Sequence, residues 1–146
     1  MLTPPLQKVL KQGLDLQSKG CLRDAADRYA RVRAAAPGDL EGWHHGGMAA
    51  LLAGRAEEAA KLLARALQLN PQSTRTILGL GVANVARGDL PSAESLLRSL
   101  TQKEPKLADG WHYLALVYQT QGRFEDAITA RKRVVALNPK GVAGWS

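Results

Sequence analysis

The sequence predicts an all-α fold built from repeated pairs of helices. Proline, glycine and alanine each recur in the chain with a spacing of 34 residues. The three columns are Pro37, Pro71, Pro105 and Pro139; Gly20, Gly54, Gly88 and Gly122; and Ala25, Ala59, Ala93 and Ala127. A fixed period of this length is typical of repeat architectures, in which every unit is the same supersecondary structure.

The period divides the chain into four units, which we treat as one domain of residues 1–146. The units are residues 6–39, 40–73, 74–107 and 108–141, and residues 142–146 begin a fifth. A chain of this length is sufficient for a short repeat array.

Each unit is predicted to contain two helices, as the second unit illustrates. Its first apolar stretch follows Asp39, a suitable N-cap residue, and ends at Gly54, which is free to adopt positive φ. Its second stretch has an apolar stripe with a period of 3.6 and ends before Pro71. Because no segment alternates with a period of two, we predict no β-strand.

Small residues mark the places where the two helices of a unit approach each other. The alanine column lies on the second helices, and Gly13, Gly47 and Gly81 lie at the matching position of the first helices, with Ala115 in the fourth unit. A larger side chain at these positions is expected to push the paired helices apart.

These columns resemble the tetratricopeptide repeat family. Its pattern has Trp, then Leu-Gly, an aromatic, Ala, a second aromatic and Pro within 34 residues. The fourth unit matches best, through Trp111, Leu114, Ala115, Tyr118, Gly122, Phe124, Ala127 and Pro139. The resemblance covers residues 6–141. Four departures predict looser packing where they occur, namely Gln12, Gly46, Asn84 and Arg131.

The resemblance implies a right-handed α-α superhelical solenoid of helix-turn-helix repeats. First helices would line a concave groove and second helices would form the convex face. The family's solenoids are non-catalytic scaffolds that bind extended peptides or partner helices along the groove. The expected function is therefore protein–protein interaction.

The resemblance also indicates which residues would line that groove. Ten of these positions form the candidate peptide-binding site, namely His44, His45, Met48, Leu52, Arg75, Leu78, Val82, His112, Tyr113 and Leu116. Because other residues fill the packing positions of the same helices, the apolar members are expected to form an exposed interaction surface. This surface predicts an apolar or amphipathic peptide or helix as ligand. The alternative is that these residues pack between neighbouring repeats.

One subclass of the family holds a C-terminal carboxylate with a clamp of Lys, Asn and Arg. The corresponding positions here read Leu10, Leu14, His45, Arg75 and Gly79, or, one unit later, His44, Met48, Gly79, Asp109 and Tyr113. Since the clamp residues are missing, we predict no capture of a C-terminal carboxylate.

The net charge of +7 and a pI near 9.9 require nucleic acid to be considered as a partner. Arg31, Arg65 and Arg133 share one column and could form a basic stripe on the convex face. Acidic residues such as Glu57 and Glu58 dilute this stripe, and aromatic residues for base stacking are few. A solvated surface is therefore favoured over nucleic-acid binding.

Sequence motifs favour neither catalysis nor a cofactor. There is no Gly-x-Ser-x-Gly motif or phosphate loop, and no catalytic residue is predicted. His44 and His45 are helical neighbours whose side chains point about 100° apart, so they are not expected to chelate one metal ion. Cys21 is the only cysteine, so cytoplasmic residence is expected. No apolar run approaches the length of a membrane span, and the N-terminus lacks a signal-peptide pattern.

Two further possibilities concern the C-terminal end of the array. Solenoid ends need a polar cap, and no such helix follows the fourth unit. The end could self-associate through Val134, Val135 and Trp145. Alternatively, the array could be an N-terminal recruitment or substrate-docking module of a larger bacterial enzyme of the sulfotransferase, glycosyltransferase or methyltransferase type.

Overall fold

The computed structural model describes residues 1–139, which contain eight α-helices and no β-strand. The helices are α1 (Pro4–Ser18), α2 (Leu22–Ala35), α3 (Leu40–Leu52), α4 (Ala56–Leu69), α5 (Thr74–Ala86), α6 (Leu90–Lys103), α7 (Ala108–Thr120) and α8 (Phe124–Leu137). The predicted all-α fold of helix-turn-helix repeats is confirmed. The chain also divides into two compact parts, each larger than a single repeat. From here on, the first unit is residues 1–79 and the second unit is the residues from Leu80 onwards, so the boundary falls within α5.

The tight turn inside each repeat is built around the glycine column. Gly54 has a φ of +80°, and the N–H of Arg55 donates to the carbonyl of Ala50 at 2.9 Å. The same φ region is occupied at Gly20, Gly88 and Gly122. This geometry closes the C-terminus of a helix, and it requires a residue without a Cβ at the left-handed position.

The first unit contains the helix pairs α1–α2 and α3–α4, and α2 also packs on α3. Gly47 of α3 faces Leu63 of α4 so closely that an added Cβ would lie 2.6 Å from the Leu63 Cγ. Ala59 and Leu63 are completely buried. The predicted close approach of the two helices is therefore present in this pair.

In the second unit, α7 packs on both α6 and α8. Gly81 of α5 lies against Leu97 of α6, where an added Cβ would be 3.0 Å from the leucine Cδ2. Ala93, Leu97 and Ala127 are buried. The small and large residues that pair here occupy the same columns as Gly47, Leu63 and Ala59 in the first unit.

Polar residues fix the starts of two helices. The carboxylate of Asp39 accepts a hydrogen bond from the backbone N–H of Glu41 at 2.9 Å, which confirms Asp39 as the N-cap of α3. Asp89 caps α6 through the N–H of Ser92 at 3.3 Å. Pro91 occupies the first turn of α6, where its missing N–H costs no helical hydrogen bond.

The expectation of looser packing was wrong at two of the four departures. Gly46 is buried, and an added Cβ there would lie 2.6 Å from the Arg33 Nη1, so an arginine from α2 occupies this space. Asn84 is also buried, and its amide oxygen accepts a 2.8 Å hydrogen bond from the Arg87 Nε. The Arg33 side chain thus fills the space beside Gly46, and a hydrogen bond from Arg87 satisfies the buried amide oxygen of Asn84.

The last described helix exposes several apolar side chains. Phe124, Ile128 and Val135 are 63%, 53% and 45% exposed, and Val134 is half-buried. Trp145, which was expected to contribute to self-association, lies outside the described residues.

Candidate functional site

The first turn of α3 and the first turn of α5 meet in a polar cluster. Glu41 and His45 lie one helical turn apart, and the Nε2 of His45 donates to the Glu41 Oε2 at 2.9 Å. The other carboxylate oxygen, Oε1, accepts from the Nη2 of Arg75. Glu41 and Arg75 occupy the same column of successive repeats, so their ion pair fastens one repeat to the next.

These two donors hold Glu41 in its ionised form. The pKa of Glu41 is lowered to about 2, chiefly by the hydrogen bond from His45 and further by Arg75, against the opposing effect of burial. Because the carboxylate has both oxygens occupied and no proton to give near neutral pH, it is poorly suited to general acid catalysis. Its geometry is that of a structural and electrostatic element.

His44 corrects the expectation that both histidines are accessible at the groove. Its side chain is buried, with 5% of the residue exposed, and its Nδ1 lies 3.1 Å from the Oγ1 of Thr76. Thr76 is itself completely buried and makes a second hydrogen bond, of 2.9 Å, to the Ser73 Oγ. His44 therefore fastens α3 to α5 and is not available to a ligand in this structure.

Burial also sets the protonation state of His44. Desolvation lowers its pKa to about 4, and the neighbouring side chains of Arg75 and His45 act in the same direction. The imidazole is consequently neutral at physiological pH, as the buried hydrogen-bonded position requires.

His45 is half-buried and lies against aromatic and imidazole rings. Its ring centroid is 5.6 Å from that of Tyr29 and 5.0 Å from that of His44. The Tyr29 hydroxyl donates to the Gln17 Oε1 at 2.7 Å, and burial raises the Tyr29 pKa to about 12. Since His44 and His45 bind different partners, the pair does not converge on a common metal position. In residues 1–139 no group of three or more His, Cys, Asp or Glu side chains could hold a metal ion.

Apolar side chains adjoin this cluster in the first unit. Leu52 is 59% exposed, whereas Met48 and Leu78 are half-buried. The Sδ of Met48 is 3.0 Å from the position that a Cβ at Gly79 would occupy, so the thioether lies over this glycine. Met48 therefore packs in part between neighbouring repeats, as the alternative prediction states, whereas Leu52 is open to solvent.

The second unit carries the other four predicted site residues. His112 is exposed, and Leu116 is 37% exposed on α7. Val82 of α5 and Tyr113 of α7 are half-buried. The rings of His112 and Tyr113 make an edge contact with centroids 5.1 Å apart. The four residues of this unit thus include both apolar and hydrogen-bonding side chains.

One recurrent feature was not predicted from the sequence, namely a tryptophan that stacks with arginine and donates a hydrogen bond to the preceding loop. The Nε1 of Trp43 donates to the Pro37 carbonyl at 2.9 Å, and that of Trp111 donates to the Pro105 carbonyl at 2.8 Å. The Arg65 and Arg133 guanidinium carbons lie 5.8 and 5.5 Å from these two indole centroids, respectively.

This stacking bears on the arginine column that raised the question of nucleic-acid binding. Two of its three members, Arg65 and Arg133, lie over indole rings of their own chain. Arg33 adds a second guanidinium beside Trp43, 5.7 Å from the ring centroid. The signal in the sequence is an arginine 22 residues after a repeat tryptophan, as at Arg65 and Arg133.

The eight described helices are 13 to 15 residues long. Within residues 1–139, none combines the length and the apolar composition that crossing a bilayer demands.

Protein-family models match most of the chain. Three tetratricopeptide repeat family models match residues 10–74, 50–117 and 108–140, and together they extend over residues 10–140. Among curated relatives, anaphase-promoting complex subunit 7 of Dictyostelium discoideum is 38% identical over 85 residues, which are 58% of this chain and 14% of that protein. A mitochondrial pentatricopeptide repeat-containing protein of Arabidopsis thaliana is 30% identical over 112 residues, 74% of this chain and 16% of the relative. The chain thus spans about a sixth or less of the length of these relatives.

Solved structures show the same fold. A crystal structure of MamA is 25% identical and has a TM-score of 0.81, covering 87% of this chain and 74% of that one. MamA from Desulfovibrio magneticus RS-1 gives a TM-score of 0.87 at 18% identity, over 95% of this chain and 78% of that one. YrrB, described as a TPR protein with an unusual peptide-binding site, gives 0.81 at 20% identity, over 88% of this chain and 66% of its own. With its 34-residue columns, its paired helices and these matches, the chain belongs to the tetratricopeptide repeat family.

Proposed function

We propose that the chain is a non-catalytic scaffold that binds an apolar or amphipathic peptide or helix on the surfaces of its first helices. The observation that carries this proposal is the exposure of apolar side chains beside a neutralised polar cluster in the first unit. Leu52 is 59% exposed and lies one helical turn beyond Met48 on α3. The charges of Glu41 and Arg75 neutralise each other. An apolar surface with few unpaired charges favours an apolar ligand.

Polar groups at the edge of this surface supply hydrogen-bonding capacity. Arg75 is exposed and uses its Nη2 to pair with Glu41. Arginine has five N–H donors in a fixed fork, so the remaining donors can reach a main-chain carbonyl of a bound peptide. The half-buried Met48 adds a polarizable contact that adapts to ligands of different shape. Because His44 is buried, it is left out of the proposed contact surface.

Val82, His112, Tyr113 and Leu116 are proposed to contribute a contact surface of the second unit. His112 and Tyr113 provide polar groups, whereas Leu116 and Val82 provide apolar area. An amphipathic helix binds through apolar side chains spaced three or four residues apart and presents polar groups beside them. A ligand of this type would suit the mixture of apolar and polar groups here.

The proposal is tested with a phage-displayed library of random linear peptides selected on the whole chain. Enriched peptides are synthesised, and their affinities for protein variants are measured by fluorescence polarisation. We expect enrichment of apolar residues at helical spacing. Replacement of Met48 and Val82 by glutamate is expected to abolish binding, because a charge would be buried against the apolar part of the ligand.

Since Met48 and Val82 are half-buried, a second pair of substitutions separates binding from folding. Leu52→Glu with Leu116→Glu changes the more exposed residues and is expected to weaken binding by about tenfold or more at unchanged helicity. Lys61→Glu with Ser99→Glu adds the same number of glutamates at exposed positions on second helices and serves as the matched control. Full affinity in both first-helix variants would exclude the proposed surface.

We infer no nucleic-acid ligand, because Arg65 and Arg133 stack on indoles of their own chain. Steeply salt-dependent binding to DNA or RNA would contradict this.

The single cysteine, Cys21, suits a reducing compartment such as the cytoplasm, and cell fractionation tests this location. The alternative function is an N-terminal docking module of a larger bacterial enzyme, and the length of the intact reading frame distinguishes it from a stand-alone adaptor.

A further inference from the structure

Three exposed apolar side chains lie on one face of α8. Phe124, Ile128 and Val135 are 63%, 53% and 45% exposed. At 100° per residue, their directions fall within about 40° of one another around the helix axis. The buried residues Ala127 and Ala130 lie on a different face of the same helix. An apolar stripe of this kind on an otherwise polar helix surface marks an interaction site.

Charged residues flank this stripe in a definite order. Glu125 and Lys132 are both exposed and lie seven residues apart, so they share one flank of the stripe. Arg131 lies on the other flank, where its guanidinium is held by the side-chain oxygen of Gln119 on α7. One flank therefore carries an acidic group near the start of α8 and a basic group near its end.

We infer that α8 packs antiparallel against α8 of a second copy of this chain. With a twofold axis level with the peptide between Ile128 and Thr129, the apolar stripes of the two helices face each other. Glu125 then lies at the same height as the partner's Lys132, because both are the same number of residues from the axis. A twofold axis brings the same flank of each helix to the same side, so two symmetric Glu–Lys pairs form.

The charge order decides between this arrangement and a parallel one. In a parallel pair with its twofold axis along the helices, the flank that carries Lys132 would face the partner's opposite flank, so Lys132 would lie beside the partner's Arg131 at nearly the same height, which is repulsive. The antiparallel pair instead places each Lys132 beside the partner's Glu125, which is attractive. Since a single pair of 14-residue helices makes a small interface, the association is expected to be weak and concentration-dependent. The inference does not depend on peptide binding by the first helices.

Sedimentation equilibrium of the whole chain, from roughly 1 µM to 1 mM, tests this pairing. We expect a monomer–dimer equilibrium in the wild type. Ile128→Glu is expected to raise the dimer dissociation constant by at least about tenfold, because it places two carboxylates at the centre of the seam. Lys61→Glu, an exposed change on α4, is the control and is expected to leave the equilibrium unchanged.

Charge reversal provides the sharper test. Glu125→Lys alone and Lys132→Glu alone are each expected to weaken the dimer by about threefold to tenfold. The double variant, Glu125→Lys with Lys132→Glu, restores the opposite-charge pairs and is expected to return the dissociation constant to within about twofold of the wild type. A merely destabilised α8 would give no such rescue, and thermal melts of all variants report on folding.

Three results would overturn the inference. The first is a monomer at every concentration. The second is a dimer that tolerates Ile128→Glu, or whose double charge variant is no tighter than the single ones. The third is a monomer whose melting temperature falls in Ile128→Glu, since the stripe would then be covered by the chain's own remaining residues.

Discussion

The Nδ1 of His44 lies 3.1 Å from the Oγ1 of Thr76, and both residues are buried. This contact fastens the middle of α3 to the first turn of α5. Burial lowers the His44 pKa to about 4, and Arg75 opposes a second positive charge nearby. Protonation of His44 therefore works against the packing of α3 on the start of α5.

The first prediction is a loss of stability on mild acidification. Between about pH 6.5 and pH 4 the unfolded chain binds a proton at His44 that the folded chain does not bind. The free energy of unfolding consequently falls as the pH is lowered through this window, by up to about 3 kcal/mol from this residue. Urea denaturation followed by circular dichroism at several pH values measures the slope.

His44→Gln isolates this contribution, because it keeps a hydrogen-bonding group near Thr76 but cannot titrate. The variant is expected to lose less stability than the wild type between pH 6.5 and pH 4. Both proteins retain His45 and His112, so the difference reports on His44. Parallel pH profiles for the two proteins would show that His44 does not titrate as described.

Much of the fold follows from the sequence because its signals are local and repeated. Asp39 and Gly54 act through their own backbone conformations, so their residue types suffice to place a helix start and a turn. Gly47 and Ala59 identify the close approach because small residues leave no other packing solution there. The four copies of the Gly54 column and of the Ala59 column make the repeat recognisable despite single departures such as Asn84.

The site was predicted less completely because it depends on contacts between repeats. Column position placed His44 at the groove, but the separation of α3 and α5 decides whether its ring is exposed or buried. The spacing of 34 residues between Glu41 and Arg75 contained the signal for their ion pair, since like columns of successive repeats are neighbours. The stacking of Arg65 on Trp43 depends on long side-chain rotamers, which periodicity does not specify.

A second prediction concerns the carboxylate of Glu41. Its pKa is lowered to about 2, first by the hydrogen bond from His45 and then by Arg75. Its stabilising contribution is present above about pH 4.5 and is lost as the pH falls towards 2. We expect His45→Ala to raise the Glu41 pKa more than Arg75→Ala does, as measured by carbon-13 NMR of the carboxylate.

The exposed Arg75 is expected to contribute little to stability although it forms an ion pair with Glu41. Arg75→Ala should lower the free energy of unfolding at pH 7 by less than about 1 kcal/mol, because solvent screens the pair. Arg55→Ala, which removes a more exposed pair with Glu58, is the control and should have a still smaller effect. A larger upward shift of the Glu41 pKa in Arg75→Ala than in His45→Ala would reverse the assigned order.

The third prediction tests the approach of α3 and α4. Gly47→Ala places a methyl group 2.6 Å from the Leu63 Cγ and 3.3 Å from the Ala59 carbonyl oxygen, so the two helices must shift. We expect a loss of about 1–3 kcal/mol in the free energy of unfolding from overpacking, despite alanine's better helix propensity. Ala59→Leu crowds the same interface from α4 and should cost a similar amount.

Gly38→Ala is the matched control for Gly47→Ala. No atom lies within 4 Å of an added Cβ at Gly38. The control is therefore expected to be neutral or to stabilise the protein by up to about 1 kcal/mol, through the lower entropy of the unfolded chain. Equal stability changes at the two positions, measured by urea denaturation, would be inconsistent with close packing at Gly47.

The fourth prediction concerns the tryptophan that closes each loop between repeats. Trp111→Phe removes the 2.8 Å hydrogen bond from the Nε1 to the Pro105 carbonyl and reduces the ring that Arg133 covers. The expected loss is about 1 kcal/mol, of which the hydrogen bond accounts for most. Trp43→Phe breaks the equivalent 2.9 Å bond to Pro37 and should cost a similar amount, since the same contact recurs in another repeat. Arg133→Gln retains the indole hydrogen bond and removes the cation, so a loss in this variant as large as in Trp111→Phe would assign the stability to stacking.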